Sequence, residues 1–474
     1  MSNYVARTGR VQAWLDNPSK KLPVSCTVFV VEDTFSESED GLDASFRFVS
    51  FALRNAAGVA VHLSKLRPAG TTNSAGLVAS GPVSFARIYS VLNEVIRRGG
   101  TYKGGACTIH LDANHADLEE FVDATRAQLP WIKKCIDITQ EWWDELPEPL
   151  QFKILKGIQA GDIWLNKVKY NAIGERIFGN VCTEIYLASR GTCLLQHIQL
   201  GQCEVEDLRP AFAEGMRQLV DLHGKTGVGD SGEYLPPIVD RQVGLGVLGL
   251  ANFLAIHGVS YAAFGEALEH INMGYASEST PALVLAREWV AAVNESAQIA
   301  RAAGMERAFT IAPTASCSYK YKDLKGFTTA PEIAPPISRQ VDRDSGTFGI
   351  QSYDYGNVEI AIEVGWDAYK KVADQICLTF EKTGLFHGYS FNSWSDVVTY
   401  DQAFIQDWLS SPQTSLYYAL QVVPDTLRKD DVASLLDDGS NYTELFGFND
   451  WTNDGLLDYL DAEDNNQFCS SCAE

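Results

Sequence analysis

The chemistry in this chain starts at Cys182, in Gly179-Asn180-Val181-Cys182-Thr183-Glu184-Ile185. In extended backbone, residues i, i+2 and i+4 share a face, so Asn180, Cys182 and Glu184 would line one surface. A carboxylate there can take the proton of a hydroxyl and an amide can hydrogen-bond a second one. The thiol between them suits chemistry on a sugar. The same pattern also fits a buried cysteine in an ordinary strand, because cysteine is among the most buried residue types. Cys26 and Cys193 could form a dithiol, although they are far apart in sequence. The terminal Cys469-Ser-Ser-Cys472 is either a redox dithiol or half of a zinc site. No second C-x-x-C exists and the eight histidines are scattered, which favours the dithiol and no bound metal.

Three further motifs bear on ligands. Pro313-Thr314-Ala315-Ser316-Cys317-Ser318 follows a strand-like run. Its hydroxyls and turn N–H groups suit a phosphate. Gly244-x-Gly246-x-x-Gly249 matches a dinucleotide fingerprint, but it follows Pro236-Pro237 rather than a clean strand. It reads instead as a close-packed helix start. Tyr417-Tyr418 lies in a strand pattern over 415–423. Adjacent strand residues point to opposite faces, so stacking of the two rings would need a local irregularity. Stacked phenols could relay a proton and an electron together.

The bulk properties narrow the setting. A net charge of −23 argues against direct nucleic-acid binding, which wants a basic face. The N-terminus lacks a secretory h-region, and no apolar run approaches the ~18 residues of a membrane span. Ten cysteines in 474 residues are too sparse for a disulfide scaffold. A reducing cytoplasm is expected, that of a host cell if so compact a chain comes from a viral genome.

The elements that must position these groups alternate. Strands are predicted over 24–31, 58–61, 106–111, 308–312 and 415–423. Helices are predicted over 42–56, 83–97, 115–127, 149–159, 205–223, 241–256 and 279–303. Repeated β-then-α order predicts an α/β fold with a parallel sheet and crossover helices. From Asp430 to Glu474 there are twelve acidic residues and no Lys or Arg, a composition typical of a mobile tail.

Taken together, these motifs resemble the catalytic α subunit of ribonucleotide reductase, from about Leu22 to Cys472. LPVSC at 22–26 and RGTCLLQ at 190–196 look like the segments of the two reducing cysteines. GNVCTEI looks like the finger-loop tip, DRQVGLGVLGLA a family helix motif, APTASCS the substrate-phosphate loop and CSSC the shuttle dithiol. The resemblance implies a ten-stranded α/β barrel of two parallel five-stranded halves with Cys182 on an internal loop. It implies a short segment at 1–21, the barrel at 22–445 and a redox tail at 446–474.

The resemblance also implies roles. Cys182 becomes a thiyl radical, Glu184 and Asn180 handle the 3′-hydroxyl, and Cys26 and Cys193 end as a disulfide. Cys469 and Cys472 reduce that disulfide and are recharged by thioredoxin or glutaredoxin. Ser25 and residues 313–318 would bind substrate. Asp33, Lys65 and Arg67 would bind a dNTP or ATP effector, and Gly99, Gly100, Thr101, Tyr102, Lys103, Gly104, Gly105 and Ala106 would relay its identity. Tyr417 and Tyr418 imply a class I enzyme, whose radical comes from a dimetal-containing β subunit. The alternative within the family is an adenosylcobalamin-dependent enzyme. A homodimer through helix 42–56 is expected, as is the absence of an N-terminal ATP-cone. Outside the family stand a nicotinamide-dependent dehydrogenase and a silent nucleotide-binding regulator.

Overall fold

A computed structural model describes residues 4–18, 22–73, 75–98, 106–275, 279–344 and 350–423. Cys469, Cys472 and the rest of the expected tail lie outside the described residues, as do Gly99 to Gly105 of the expected specificity loop.

In chain order the strands are β1 (Val5–Arg7), β2 (Cys26–Val30), β3 (Gly58–His62), β4 (Cys107–Asp112), β5 (Lys133–Ile138), β6 (Ile163–Lys167), β7 (Lys169–Tyr170), β8 (Arg176–Gly179) and β9 (Tyr186–Leu187). They continue with β10 (Leu195–Gln199), β11 (Gln242–Leu248), β12 (Arg307–Ile311), β13 (Gln340–Asp344), β14 (Ile350–Asp354), β15 (Phe386–Tyr389), β16 (Ser393–Trp394), β17 (Ser415–Leu416) and β18 (Ala419–Leu420). Two main sheets result, ordered β17-β6-β5-β4-β3-β2 and β1-β10-β11-β12-β15. Within them β2 to β6 run parallel, as do β10, β11, β12 and β15.

The α/β barrel is thus built from two half-sheets, with a difference from the expected five parallel strands in each. The second half has four parallel strands, and its fifth, β1, runs antiparallel to β10. That strand comes from the 1–21 segment expected to stand outside the barrel. The first half gains an antiparallel edge strand, β17, on β6. The half-sheets meet at both edges. Thr27 of β2 bridges Thr192, and Tyr389 of β15 bonds Thr414 and Ser415 beside β17.

Strand parity decides what faces inward. Cys26, Val28 and Val30 of β2 belong to an inner cluster, whereas Phe29 and Val31 pack outward under helices. The same alternation turns Ala60, Cys135, Trp164 and Leu195 inward. Both faces are covered, so these strands read as near-continuous apolar runs.

The helices follow their sequence signals. The longest, Pro281–Ala302, opens with Pro at its first turn and with the Thr280 hydroxyl accepting from the Leu283 N–H, both standard N-terminal devices. Over 241–256 the expected helix is instead strand β11 followed by the short helix Leu250–Ile256. Its glycines allow close approach of neighbouring strands. A Cβ on Gly246 would lie 2.3 Å from the Thr310 carbonyl oxygen, and one on Gly244 would lie 2.4 Å from a Leu195 methyl.

Candidate active site

The β8–β9 hairpin carries Asn180 to Ile185 into the barrel interior. The segment is not extended, as the strand reading assumed, but a tight turn. Thr183 adopts φ 59°, a left-handed conformation that costs a β-branched residue on the order of 1–3 kcal/mol. Its N–H bonds the Asn180 carbonyl at 3.1 Å and its hydroxyl the Cys182 carbonyl at 2.7 Å. The turn achieves the convergence that strand parity was expected to provide. Asn180 Nδ2 donates to Glu184 Oε1 at 2.9 Å, and all three side chains are buried.

Both half-sheets hold this finger. Thr108 of β4 donates to the Val181 carbonyl (3.1 Å), Thr310 of β12 to the Glu184 carbonyl (2.7 Å) and Ser390 to the Cys182 carbonyl (2.6 Å). Gly388 of β15 lies directly beneath, where a Cβ would fall 2.1 Å from the Glu184 carbonyl oxygen.

The structure brings Cys26 and Cys193 together. The Cys193 N–H bonds the Cys26 carbonyl at 3.0 Å, and the Cys26 N–H points at Cys193 Sγ at 3.0 Å. The Sγ atoms of Cys26 and Cys182 and a carboxylate oxygen of Glu184 lie within 4.8 Å of one another. Asp240 positions the Cys193 segment: it accepts from the Thr192 N–H (2.8 Å) and from Arg307 (2.8 Å) in a buried ion pair.

Tyr417 and Tyr418 sit where the strand breaks between β17 and β18, an irregularity that brings the two rings together edge to face rather than stacked. Their ring centroids are 4.4 Å apart at 67°. Trp164 lies 4.4 Å from Tyr417 and 5.0 Å from Tyr418. All three rings share the inner cluster with Cys182.

The other expected contacts are placed more loosely. Ser25 is buried at the start of β2, and Ala106 joins the inner cluster. Pro313 leads into a single helical turn, Ala315–Ser318, which includes Ser316. Thr314, its cap residue, is engaged by Glu332, which accepts from its hydroxyl (2.8 Å) and its N–H (3.1 Å). Cys317 packs against Ala6 and Leu248 and donates to the Arg7 carbonyl. Burial pushes its thiol up to about 11, which suits packing rather than reaction. Asp33 pairs with Arg67 (2.7 Å), and Lys65 with Glu32 (2.5 Å). An effector phosphate would therefore have to replace carboxylates at both cations.

Residue types and spacing alone did not reveal a buried His62–Asp137–His110 cluster at the root of the finger. Its signal was present in the strand ends: VAVH, TIHLD and CIDI close β3, β4 and β5, which are register neighbours.

Burial also leaves a pH signature. His110, His197 and His387 are each pushed down to about 4, in every case chiefly by burial. Unfolded, each would take a proton near its ordinary value of 6.5. Between these values the unfolded chain binds more protons, so stability falls as pH falls. Near pH 5 the expected loss is on the order of 4 kcal/mol per pH unit, about 1.4 for each of three protons. Urea midpoints measured from pH 7 to 4.5 check this; a flat profile would contradict neutral burial of these rings.

Comparison with known proteins bears on the fold and on the sequence around it. Residues 24–131 match the model of the ribonucleotide reductase barrel domain. A vitamin B12-dependent ribonucleoside-diphosphate reductase of Thermoplasma acidophilum is 26% identical over 324 residues, 56% of this chain and 41% of that protein. One from Mycobacterium tuberculosis is 28% identical over 271 residues, 47% of this chain and 38% of that protein. The chain thus spans less than half the length of these curated relatives. The Actinobacillus ureae class Id ribonucleotide reductase alpha subunit shares the fold, with a TM-score of 0.61 at 17% identity over 90% of this chain and 89% of that one. Residues 24–131 thus match the ribonucleotide reductase barrel domain, and the chain is similar in sequence to vitamin B12-dependent ribonucleotide reductases and in fold to a ribonucleotide reductase alpha subunit.

Proposed function

We propose that the chain reduces ribonucleotides to 2′-deoxyribonucleotides at Cys182. The observation that carries this reading is the convergence of Cys26, Cys182 and Glu184 within 4.8 Å, with Cys193 against Cys26, at the tip of a loop buried in the barrel. As a thiyl radical, Cys182 takes the ribose 3′-hydrogen. Glu184 accepts the 3′-hydroxyl proton and is oriented by Asn180. The 2′-hydroxyl leaves as water, while Cys26 and Cys193 give up two electrons and become a disulfide. Cys182 then returns its hydrogen to C3′. Net, one ribonucleotide and one dithiol give one deoxyribonucleotide, water and one disulfide. Cys469 and Cys472 then restore the dithiol by exchange, recharged by thioredoxin or glutaredoxin in a reducing cytoplasm. No helix among the described residues is long and apolar enough to cross a membrane.

For the radical source, the relatives' names favour adenosylcobalamin, which corrects the emphasis of the sequence reading. When bound, that cofactor supplies a carbon radical able to take the Cys182 hydrogen. The described rings on the Tyr417 side leave no open face: Cys182 is fully buried, and Trp164, Tyr417 and Tyr418 pack in its cluster. That same packing favours a second reading, in which a dimetal-containing β subunit delivers the radical through Tyr418 and Tyr417. The deciding assay supplies the purified chain with ribonucleoside diphosphate and dithiol, adding adenosylcobalamin or a β subunit. The cofactor reading predicts turnover with adenosylcobalamin alone and little effect of Tyr418→Phe. The relay reading predicts turnover only with the partner and its loss in Tyr418→Phe. Deoxynucleotide formation under neither condition would contradict the proposed reaction.

A homodimer is also expected, through helix 42–56 or the apolar stripe on the helix beside it. Ile88, Val91 and Val95 are exposed on the neighbouring helix Gly81–Arg98, at the spacing of one helical face.

A further inference from the structure

The cluster at the finger's root is used by none of the steps above. Asp137 of β5 is fully buried and accepts from four groups. His62 Nδ1 lies 3.0 Å from Oδ2 and His110 Nδ1 lies 3.0 Å from Oδ1. Asn166 Nδ2 reaches Oδ1 at 3.0 Å, and a guanidinium N–H of Arg176 reaches Oδ2 at 3.4 Å. Arg176 is itself held by Asp112 through two bonds of 2.6 and 2.7 Å. The other nitrogen of His62, Nε2, lies 3.0 Å from the carbonyl of Gly179, the residue immediately before Asn180.

Hydrogen-bond roles fix the state of this ring. A carbonyl only accepts, so Nε2 must carry hydrogen. An ionised carboxylate only accepts, so Nδ1 must carry hydrogen too. Burial pushes the Asp137 carboxyl up, yet it lies well below the usual carboxylate range, and the Asn166 amide and the Arg176 guanidinium both donate to it. His62 therefore reads as an imidazolium. His110 differs: burial, with His62 beside it, pushes it down to about 4, and its Nε2 has no partner among the described residues. The groups facing His62 are Asp137 from β5, the stacked His110 ring from β4 at 4.1 Å and the Phe178 ring from β8 at 4.9 Å. Arg176 lies beyond Asp137. Two carboxylates, one guanidinium and one imidazolium leave the buried cluster with no net charge, the arrangement that burial tolerates best.

We propose that His62 is a positioning residue: as an imidazolium it ties the barrel-wall carboxylate of Asp137 to the Gly179 carbonyl and so sets the height of Cys182 in the barrel. The consequence for catalysis rests on the reading of Cys182 as the reacting thiol; the state of His62 does not.

The test uses the full chain labelled with 15N-histidine, with the His62 signals assigned by their loss in His62→Gln. At neutral pH the expected His62 signature is protonation of both ring nitrogens, converting to a single-proton ring in Asp137→Asn. A neutral His62 in the unsubstituted chain would overturn the proposal. In a second arm Cys182 is alkylated and read by peptide mass spectrometry, with Cys377, fully buried elsewhere, as control. His62→Gln should raise Cys182 labelling on the order of ten-fold, a local opening, and leave Cys377 unchanged. Equal rises at both cysteines, or no rise at either, would overturn the positioning role. Neither arm needs turnover, so failure here is distinguishable from failure of the proposed reaction. Where turnover is measured, kcat should fall with KM nearly unchanged.

Discussion

Cys182→Ala is expected to form no detectable deoxynucleotide while binding ribonucleotide as the parent chain does. The substitution removes one sulfur from a side chain that is fully buried at the tip of a turn held by backbone bonds. Those bonds use carbonyl oxygens rather than the thiol, so the turn should keep its shape. Burying a slightly smaller side chain costs roughly 1–2 kcal/mol, little against the whole stability. Equilibrium binding of the nucleotide, measured beside product formation, checks the pair of outcomes. Retained turnover would remove Cys182 from the chemistry.

Gly388→Ala should produce the second-largest loss, without altering any group that reacts. A Cβ at this position would meet backbone, the Glu184 carbonyl oxygen at 2.1 Å and its carbon at 2.5 Å. Backbone cannot swing aside as a side-chain end can. The finger must lift, carrying Glu184 and Cys182 away from Cys26. Misplacement of about 1 Å costs on the order of a hundred-fold in rate, and the forced shift costs about 1–3 kcal/mol of stability. Gly224→Ala is the control: it has φ −70° and nothing within 4 Å of an added Cβ, and it should behave as the parent. Equal activity in all three chains would show that the finger does not rest on β15 as described.

Much of the barrel was legible because parallel strands buried on both faces are written as apolar runs, and Val24 to Val31 is one. The run over 241–256 was misread because glycines and leucines at helical spacing also suit a strand squeezed between two others. Only the closeness of Thr310 and Leu195 distinguishes the cases. The pattern at 180–184 named the right three side chains for a reason the structure replaces: a left-handed Thr183, not strand alternation, makes them converge. Cys26 and Cys193 could not be paired from spacing, since a bridge between the edges of two half-sheets joins them. Tyr417 and Tyr418 meet edge to face rather than stacked, at a break between β17 and β18 that the strand pattern does not show. His62, His110 and Asp137 went unseen because they lie on three separate buried strands, each in its C-terminal half. Their meaning comes from the parallel register that lines those strand ends up.

The central claim is that the Cys182 sulfur takes and returns the ribose 3′-hydrogen. It is tested most directly by turning over a ribonucleotide deuterated at C3′ and analysing the product. Slower turnover than with the unlabelled substrate is expected, with deuterium found at C3′ of the deoxynucleotide, because the same sulfur that removes the atom gives it back. Turnover at an unchanged rate, with no involvement of the 3′ position, would contradict the account.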